Sequence, residues 1–184
     1  MLPWARAYRI AMTEPNVIIF SMTKNKERNK HFYWLLKLQS LTYRFYSLAN
    51  RKDLKNNHLS AALNHTVAAV RDSYAATTLK KLGFITGKNL ILTLNYKDAW
   101  QMLRLGRVDY TFANEQVLAD TLTSLNIPAK LFIQSVDYVQ HGDIYIALSA
   151  TTSDKVLKKL IRSLQSMQYD GTLRRLSSTA RLPH

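Results

Sequence analysis

The middle of the chain repeats one pattern, in which a short apolar run is followed by a longer segment with helical periodicity. The apolar runs have strand length and cover residues 66–70, 90–94, 108–113 and 131–136. The segments between them cover residues 73–82, 95–105 and 115–125. Ser73 and Asn95 can cap the first two predicted helices, which Gly83 and Gly106 end. This alternation predicts a β-α-β-α-β-α-β ligand-binding domain over residues 66–136, with a mostly parallel sheet and right-handed crossovers.

The flanking segments predict further elements on both sides of this domain. Before it lie a helix over 4–12, a strand over 17–20, an apolar segment over 31–38, an aromatic strand over 41–48, and a polar connection over 50–65 with a helical turn at 59–63. After it lie a strand over 144–148, a helix opening at Ser153, a stop at Gly171, a short basic helical piece, and a frayed end over 177–184.

The helix that opens at Ser153 is amphipathic. Its apolar stripe contains Val156, Leu157, Leu160, Ile161, Leu164 and Met167. Its opposite, wet face contains Lys155, Lys158, Lys159 and Arg162. The pattern therefore predicts one covered face and one basic face in contact with solvent.

The chain is strongly basic. Its 184 residues include 26 Lys plus Arg against 12 Asp plus Glu, which gives a formal net charge of +14. Such a surplus favours an anionic partner, which is a nucleic acid, a membrane surface or a small acidic ligand. The charge is spread over both halves without a run of five like charges, and the aromatic residues fall mostly on apolar faces. These observations disfavour nucleic acid as the anionic partner. A basic protein that binds nucleic acid or an anionic membrane remains the alternative hypothesis to binding of a small ligand.

No set of residues predicts catalysis, a metal or a cofactor. The chain has no cysteine, and His141-x-Asp143 offers only two metal ligands in a turn. The segment from Gly83 to Asn89 is one residue too short between its glycines for a phosphate loop, and it follows a helix. No apolar run reaches the roughly 20 residues that span a bilayer. We expect a protein that is not an enzyme, with no cofactor, no metal and no membrane span.

The strand-to-helix junctions of the middle domain are candidate binding positions. Arg71, Ser73 and Tyr74 follow the first strand, and Asn114 and Glu115 follow the third. Ligands of open α/β sheets bind at the carboxyl ends of the strands, where helix N-termini attract carboxylates. A plain helix cap is the alternative interpretation of Ser73.

Several short motifs occur in a familiar order along nearly the whole chain, from about residue 3 to about residue 176. They are Pro3-Trp4-Ala5-Arg6-Ala7, Phe20-Ser21-Met22-Thr23 with Glu27-Arg28, Phe32-Tyr33-Trp34, Val70-Arg71-Asp72-Ser73-Tyr74, Leu105-Gly106-Arg107-Val108-Asp109, Phe112-Ala113-Asn114-Glu115 and Tyr169-Asp170-Gly171-Thr172. This ordered set resembles the type 2 periplasmic solute-binding proteins of the amino-acid-receptor class, which serve ABC importers.

The resemblance implies an α/β, periplasmic-binding-protein-like (type 2) fold with two lobes that close on a ligand. Residues 49–143 would form the second lobe, around the core at 66–136. Residues 1–48 and 144–184 would form a partial first lobe with the crossover strands 41–48 and 144–148. The implied function is non-catalytic binding of a small polar or anionic, amino-acid-like organic solute in an interlobe cleft. The implied setting is the periplasm, and the implied partner is the membrane component of an ABC importer.

The resemblance also implies roles for particular residues. Arg28 matches the arginine that grips a ligand carboxylate, for which bidentate hydrogen bonding is the physical reason. Ser21 and Thr23 match the polar residues before that arginine, and Ser73 matches the hydroxyl at a helix start. Asn114 stands where the family has an acidic residue for an α-ammonium group, so a standard amino acid is not implied.

The chain is also shorter than the resemblance leads us to expect. Family members begin with roughly two further β-α units, as the size of a two-lobed domain requires. We therefore expect an incomplete first lobe, as in a fragment or a truncated relative. Such a lobe would expose sheet edges and apolar surface.

Overall fold

The computed structural model describes residues 2–179. Its α-helices are α1 (Trp4–Thr13), α2 (Leu59–Ala62), α3 (Tyr74–Lys81), α4 (Tyr96–Arg104), α5 (Glu115–Ser124), α6 (Asp154–Tyr169) and α7 (Thr172–Thr179). Its β-strands are β1 (Ile18–Thr23), β2 (Phe32–Leu48), β3 (Val67–Val70), β4 (Leu90–Thr93), β5 (Tyr110–Asn114), β6 (Phe132–Gln134) and β7 (Gln140–Ser149). The predicted order of elements over residues 66–136 is confirmed.

The chain divides into two compact units. Unit 1 contains the residues up to Arg6 and Leu41–Gly142, and unit 2 contains Ala7–Ser40 and the chain from Asp143 onward. The strands β2 and β7 therefore contribute residues to both units. The assignment of these units to the lobes of a solute-binding protein is a proposal.

The sheet of unit 1 mixes parallel and antiparallel strands. β3 is parallel to both of its neighbours, because Val67 pairs with Leu90 in β4 and with Tyr110 in β5. β2 is antiparallel to β5 and to β6. Because β5 and β6 are both antiparallel to β2, the strands β3, β4, β5 and β6 all run in one direction, as predicted for residues 66–136. The aromatic strand β2 runs against them, and β6 pairs with β2.

Helix α4 anchors one face of this sheet. Ala99, Trp100 and Leu103 recur at helical spacing and are all buried. The Trp100 ring lies 5.5 Å from the ring of Tyr46 in β2 and 5.1 Å from that of Phe132 in β6. Full burial of one such side chain contributes about 1.5–3 kcal/mol. This face therefore fixes β2 and β6 against the parallel strands.

The other face of β2 carries a second aromatic cluster. Phe45 points away from its neighbour Tyr46, as successive strand residues do. Its ring lies 4.7 Å from Phe112, 5.9 Å from Phe84 and 6.1 Å from Tyr138. The strands at the centre of unit 1 are thus covered on both sides.

Unit 2 is built around the antiparallel pair β1 and β7, in which Ile18 pairs with Leu148 and Met22 with Tyr145. The register shifts between Ile19 and Met22, where Ser21 has a φ of 56°. A residue in the left-handed region within a strand marks a bulge. α6 has no buried residue, and its apolar Ile161 is 40% exposed. The expectation that this stripe is covered is therefore met only in part.

Two further predictions change on the structure. The segments over 31–38 and 41–48 form one strand, β2, and polar residues at their junction have partners. Lys37 Nζ lies 2.8 Å from Asp143 Oδ2, and Ser40 donates to Asp143 Oδ1 at 2.6 Å. Fraying over 177–184 is wrong for 177–179, which belong to α7. Asp170 Oδ1 accepts from Thr172 N at 2.8 Å at the start of that helix. Residues 180–184 lie outside the described residues.

Candidate functional site

The turn after β3 brings together three of the residues predicted to bind a ligand. Ser73 is buried and is the N-cap of α3, with its Oγ accepting from Ala76 N at 3.1 Å. Asp72 has a φ of 58°, and its carbonyl oxygen accepts from Trp4 Nε1 at 3.0 Å. The N-terminal segment of the chain therefore supports this turn. The helix-cap interpretation of Ser73 is correct, and a ligand contact by its hydroxyl stays a prediction.

Arg71 is the exposed cation of this turn. Its backbone continues the pairing of β3 with β4, because Arg71 N donates to Thr93 O at 3.0 Å. Within residues 2–179 its guanidinium forms no ion pair or hydrogen bond. In the same part of the chain, the amides of Tyr74 and Ala75 at the start of α3 have no acceptor. A cation beside unfilled helix N–H groups is an arrangement that suits a carboxylate.

An aromatic wall adjoins the turn within unit 1. The ring of Tyr74 lies 5.1 Å from that of Tyr43, and its hydroxyl donates to His141 O at 3.1 Å. Tyr43 lies in turn 5.9 Å from Phe112. These contacts fix the Tyr74 ring beside the cap residue Ser73. Tyr43 was not among the predicted site residues, although its place two residues before Phe45 in an alternating strand indicates the same face.

Asn114 and Glu115 end β5 and begin α5. Asn114 is buried and is paired in register with Tyr43. The carboxylate of Glu115 instead accepts from Arg44 Nε at 3.1 Å. This ion pair accounts for the direction of the Glu115 side chain. The role of Asn114 as a ligand contact stays a prediction.

Ser21, Thr23 and Arg28 lie together in unit 2. Arg28 and Thr23 are buried, and Arg28 Nη1 donates to the carbonyl oxygen of Thr23 at 2.7 Å. The guanidinium also lies 5.0 Å from the centre of the Tyr8 ring. Ser21 is exposed at the bulge of β1. The structure thus brings Thr23 and Arg28 into contact through a backbone carbonyl, and their contact with a ligand stays a prediction.

The His141 and Asp143 couple makes separate contacts. His141 Nδ1 lies 3.4 Å from Thr42 Oγ1, whereas Asp143 binds Lys37 and Ser40. These partners hold the pKa of Asp143 below its ordinary value, with Lys37 as the largest cause. Over residues 2–179 no group of three or more His, Asp or Glu side chains is placed to hold a metal. None of the helices in that range is long and apolar enough to cross a membrane.

Comparison with known proteins was made by sequence and by structure. Neither the protein-family models nor the curated proteins gave a match. Among solved structures, a mutant of ArgBP from T. maritima is 16% identical with a TM-score of 0.74, covering 95% of this chain and 73% of that one. ArtJ, the arginine-, lysine-, histidine-binding protein from Geobacillus stearothermophilus, is 16% identical with a TM-score of 0.74, covering 93% and 72%.

A third solved structure comes from a different class of protein. It is a histidine kinase sensor domain with similarity to periplasmic binding proteins, 14% identical with a TM-score of 0.79, covering 96% of this chain and 75% of that one. The fold is that of the type 2 periplasmic binding proteins.

The fold expected from the resemblance is thereby confirmed. The chain spans about three quarters of the length of these structures, 72–75%. This agrees with the expected incomplete lobe. That the difference corresponds to N-terminal β-α units stays a prediction.

Proposed function

We propose that this protein binds a small polar or anionic organic solute without chemical conversion. The observation that carries the proposal is the exposed Arg71 in the turn before α3, where the amides of Tyr74 and Ala75 have no acceptor within the described chain. Two N–H groups and a cation of the same turn can share the oxygens of one carboxylate. The Tyr74 ring supplies an apolar surface beside them. The solute is therefore an organic acid or an amino-acid-like molecule, carrying a carboxylate and an apolar part.

The fold supports a transport or sensing setting for this binding. ArtJ is an amino-acid-binding protein, and the sensor domain belongs to a histidine kinase. We extend the proposal to a substrate-binding protein of an ABC importer, or a shortened relative of one, acting in the periplasm. Arg28, Ser21 and Thr23 are proposed as further ligand contacts, from the resemblance alone.

A ligand screen tests the proposal. Thermal shifts are measured with amino acids and small organic acids, and the best ligand is titrated by calorimetry. A ligand that binds the folded state raises the melting temperature. Arg71→Gln is expected to weaken binding about 10- to 100-fold, the value of a charge-assisted hydrogen bond or two.

Arg107→Gln is the matched control. Arg107 is also an exposed arginine of unit 1, but it precedes β5, at the opposite end of the parallel strands from Arg71. The Arg107→Gln variant should bind the ligand with an affinity within about threefold of that of the unmodified protein, since Arg107 offers no hydrogen bond to the proposed site. No stabilising ligand, or equal losses in the two variants, would overturn the proposal.

A further inference from the structure

A second candidate site lies on the wet face of α6. Lys155, Lys158, Lys159 and Arg162 recur every third or fourth residue and therefore lie on one side of the helix. All four are exposed, and together with Ser163 they line one shallow depression. Within residues 2–179 none of the four side chains forms an ion pair or hydrogen bond. We name these four residues the cationic stripe.

Tyr169 continues the stripe at the end of α6. It lies seven residues, or about two helical turns, after Arg162, so it lies on the same side of the helix. Its side chain is 96% exposed. Packing does not explain a tyrosine that is exposed to this degree, because its ring contacts almost nothing in its own chain. A line of four cations that ends in a bare aromatic ring extends over about 21 Å.

We propose that the cationic stripe and Tyr169 bind the anionic surface of a lipid bilayer. Each lysine or arginine near such a surface is attracted to the lipid phosphates. Tyrosine suits the headgroup region because its ring is apolar and its hydroxyl stays hydrated. The apolar stripe on the opposite side of α6 is half-buried in unit 2. The helix therefore lies on the surface by its basic face and does not insert its apolar side.

Two observations favour a membrane over a nucleic acid. Binding of single strands relies on several exposed rings that stack on bases, whereas Tyr169 is the only aromatic residue of α6. Three of the four cations are lysines, which act as point charges and lack the two-pronged geometry with which arginine recognises individual phosphates and bases. A flat field of many phosphates needs neither feature. This site uses no residue of the proposed solute site, so the two proposals can fail separately.

Vesicle co-sedimentation of the full chain is the experiment. Vesicles with about one third phosphatidylglycerol are compared with neutral phosphatidylcholine vesicles, at low and high salt, because anionic lipid attraction is screened by ions. Replacing the stripe (Lys155→Gln, Lys158→Gln, Lys159→Gln and Arg162→Gln together) is expected to lower partitioning into anionic vesicles at least about tenfold. Neutral vesicles should bind neither the unmodified protein nor the stripe variant.

The matched control removes the same number of charges elsewhere. Lys80, Lys88, Lys97 and Lys130 are exposed lysines of unit 1 without an ion pair in the described chain. Their combined change to Gln leaves the same net charge as the stripe variant, so partitioning should fall less than about threefold. Circular dichroism and the melting temperature establish that both variants are folded.

Tyr169→Ala separates the ring from the charges. It is expected to lower partitioning while leaving the salt dependence unchanged, since the ring contributes no charge. Equal losses in the stripe and control variants, or no binding to anionic vesicles at low salt, would overturn the proposal. Binding to DNA that is tighter than to vesicles, and lost in the stripe variant, would overturn it in favour of a nucleic acid.

Discussion

The strands of unit 1 and the helix α6 of unit 2 were equally clear in the sequence, yet they are covered very differently. All four residues of β3 and all five of β5 are buried. All sixteen residues of α6 are at least partly exposed, and Phe20 in β1 is 60% exposed. Both regions have well-formed patterns of apolar residues. The difference shows that a pattern specifies which side of an element is apolar, whereas the layers packed on it determine how deeply that side is buried.

A pair of leucine truncations tests this contrast and should give the largest effect. Leu103 in α4 is fully buried, and Leu160 in α6 is half-buried. Leu103→Ala should lower the free energy of unfolding by about 2–5 kcal/mol, through lost burial and a cavity. Leu160→Ala should cost roughly 1 kcal/mol, because its side chain is already partly hydrated. Denaturant titration followed by circular dichroism measures both, and equal costs would contradict the contrast.

The second prediction concerns the polar clamp at the amino ends of β3 and β5. Asp109 Oδ2 accepts from Thr66 N and Oγ1 at 2.9 Å each, and Asp109 Oδ1 accepts from Arg51 Nη1 at 2.9 Å. Asp109→Asn should cost about 2 kcal/mol, the value of hydrogen bonds to a charged group. Asp53→Asn is the control, since Asp53 binds the same arginine at an exposed position. Its loss should be much smaller.

The clamp also predicts a pH dependence. Burial alone would raise the pKa of Asp109, but the hydrogen bonds from Thr66 and Arg51 outweigh it and hold the pKa below the ordinary value. The stabilisation is therefore fully present above the ordinary aspartate pKa and is lost as the pH falls through the lowered one. The free-energy difference between the unmodified protein and Asp109→Asn should shrink across that acidic range. A difference that is constant with pH would contradict this account.

The smallest expected effect probes polar atoms inside unit 1. The Tyr46 hydroxyl is buried without a hydrogen-bond partner in the described chain, and burial, followed by Glu115, raises the pKa of Tyr46 to about 12. Tyr46→Phe should therefore leave stability unchanged or raise it by up to about 1 kcal/mol. Tyr110→Phe is the counterpart, because the Tyr110 hydroxyl accepts from Asn57 Nδ2 at 2.9 Å. Tyr110→Phe should lower the free energy of unfolding by about 1 kcal/mol. The measurement is the sign of the difference in stability between the two variants.

The elements of unit 1 could be predicted because their signals are local. Ser73 and Asn95 cap α3 and α4 through hydrogen bonds to residues three positions ahead, and such signals need no tertiary context. The pairing partner of β6 could not be predicted in this way. β6 runs in the same direction as β3, β4 and β5, as expected, but it pairs with β2, whose residues are remote in sequence. Short apolar strands carry no mark of the partner they will take.

The kinds of residue in the candidate site could be predicted, but their detailed geometry could not. A cation and a helix start after β3 were expected, and both Arg71 and Ser73 lie there. The left-handed conformation of Asp72 and its contact with Trp4 were not, because they depend on a segment far away in the sequence. The burial of Arg28 beneath Tyr8 was likewise invisible, since a charged residue is usually exposed.

The pairing of β1 with β7 has a consequence for the order of events during synthesis. β3, β4 and β5 are close neighbours along the chain and can pair soon after they leave the ribosome. β1 precedes these strands, but Ile18 pairs with Leu148, so among the described strands β1 has no partner until β7 has emerged. Pairings between remote segments form slowly, and chains are made from the N-terminus. Unit 2 is therefore the last part of the nascent chain to complete its strand pairing, and its first strand, β1, remains unpaired longest.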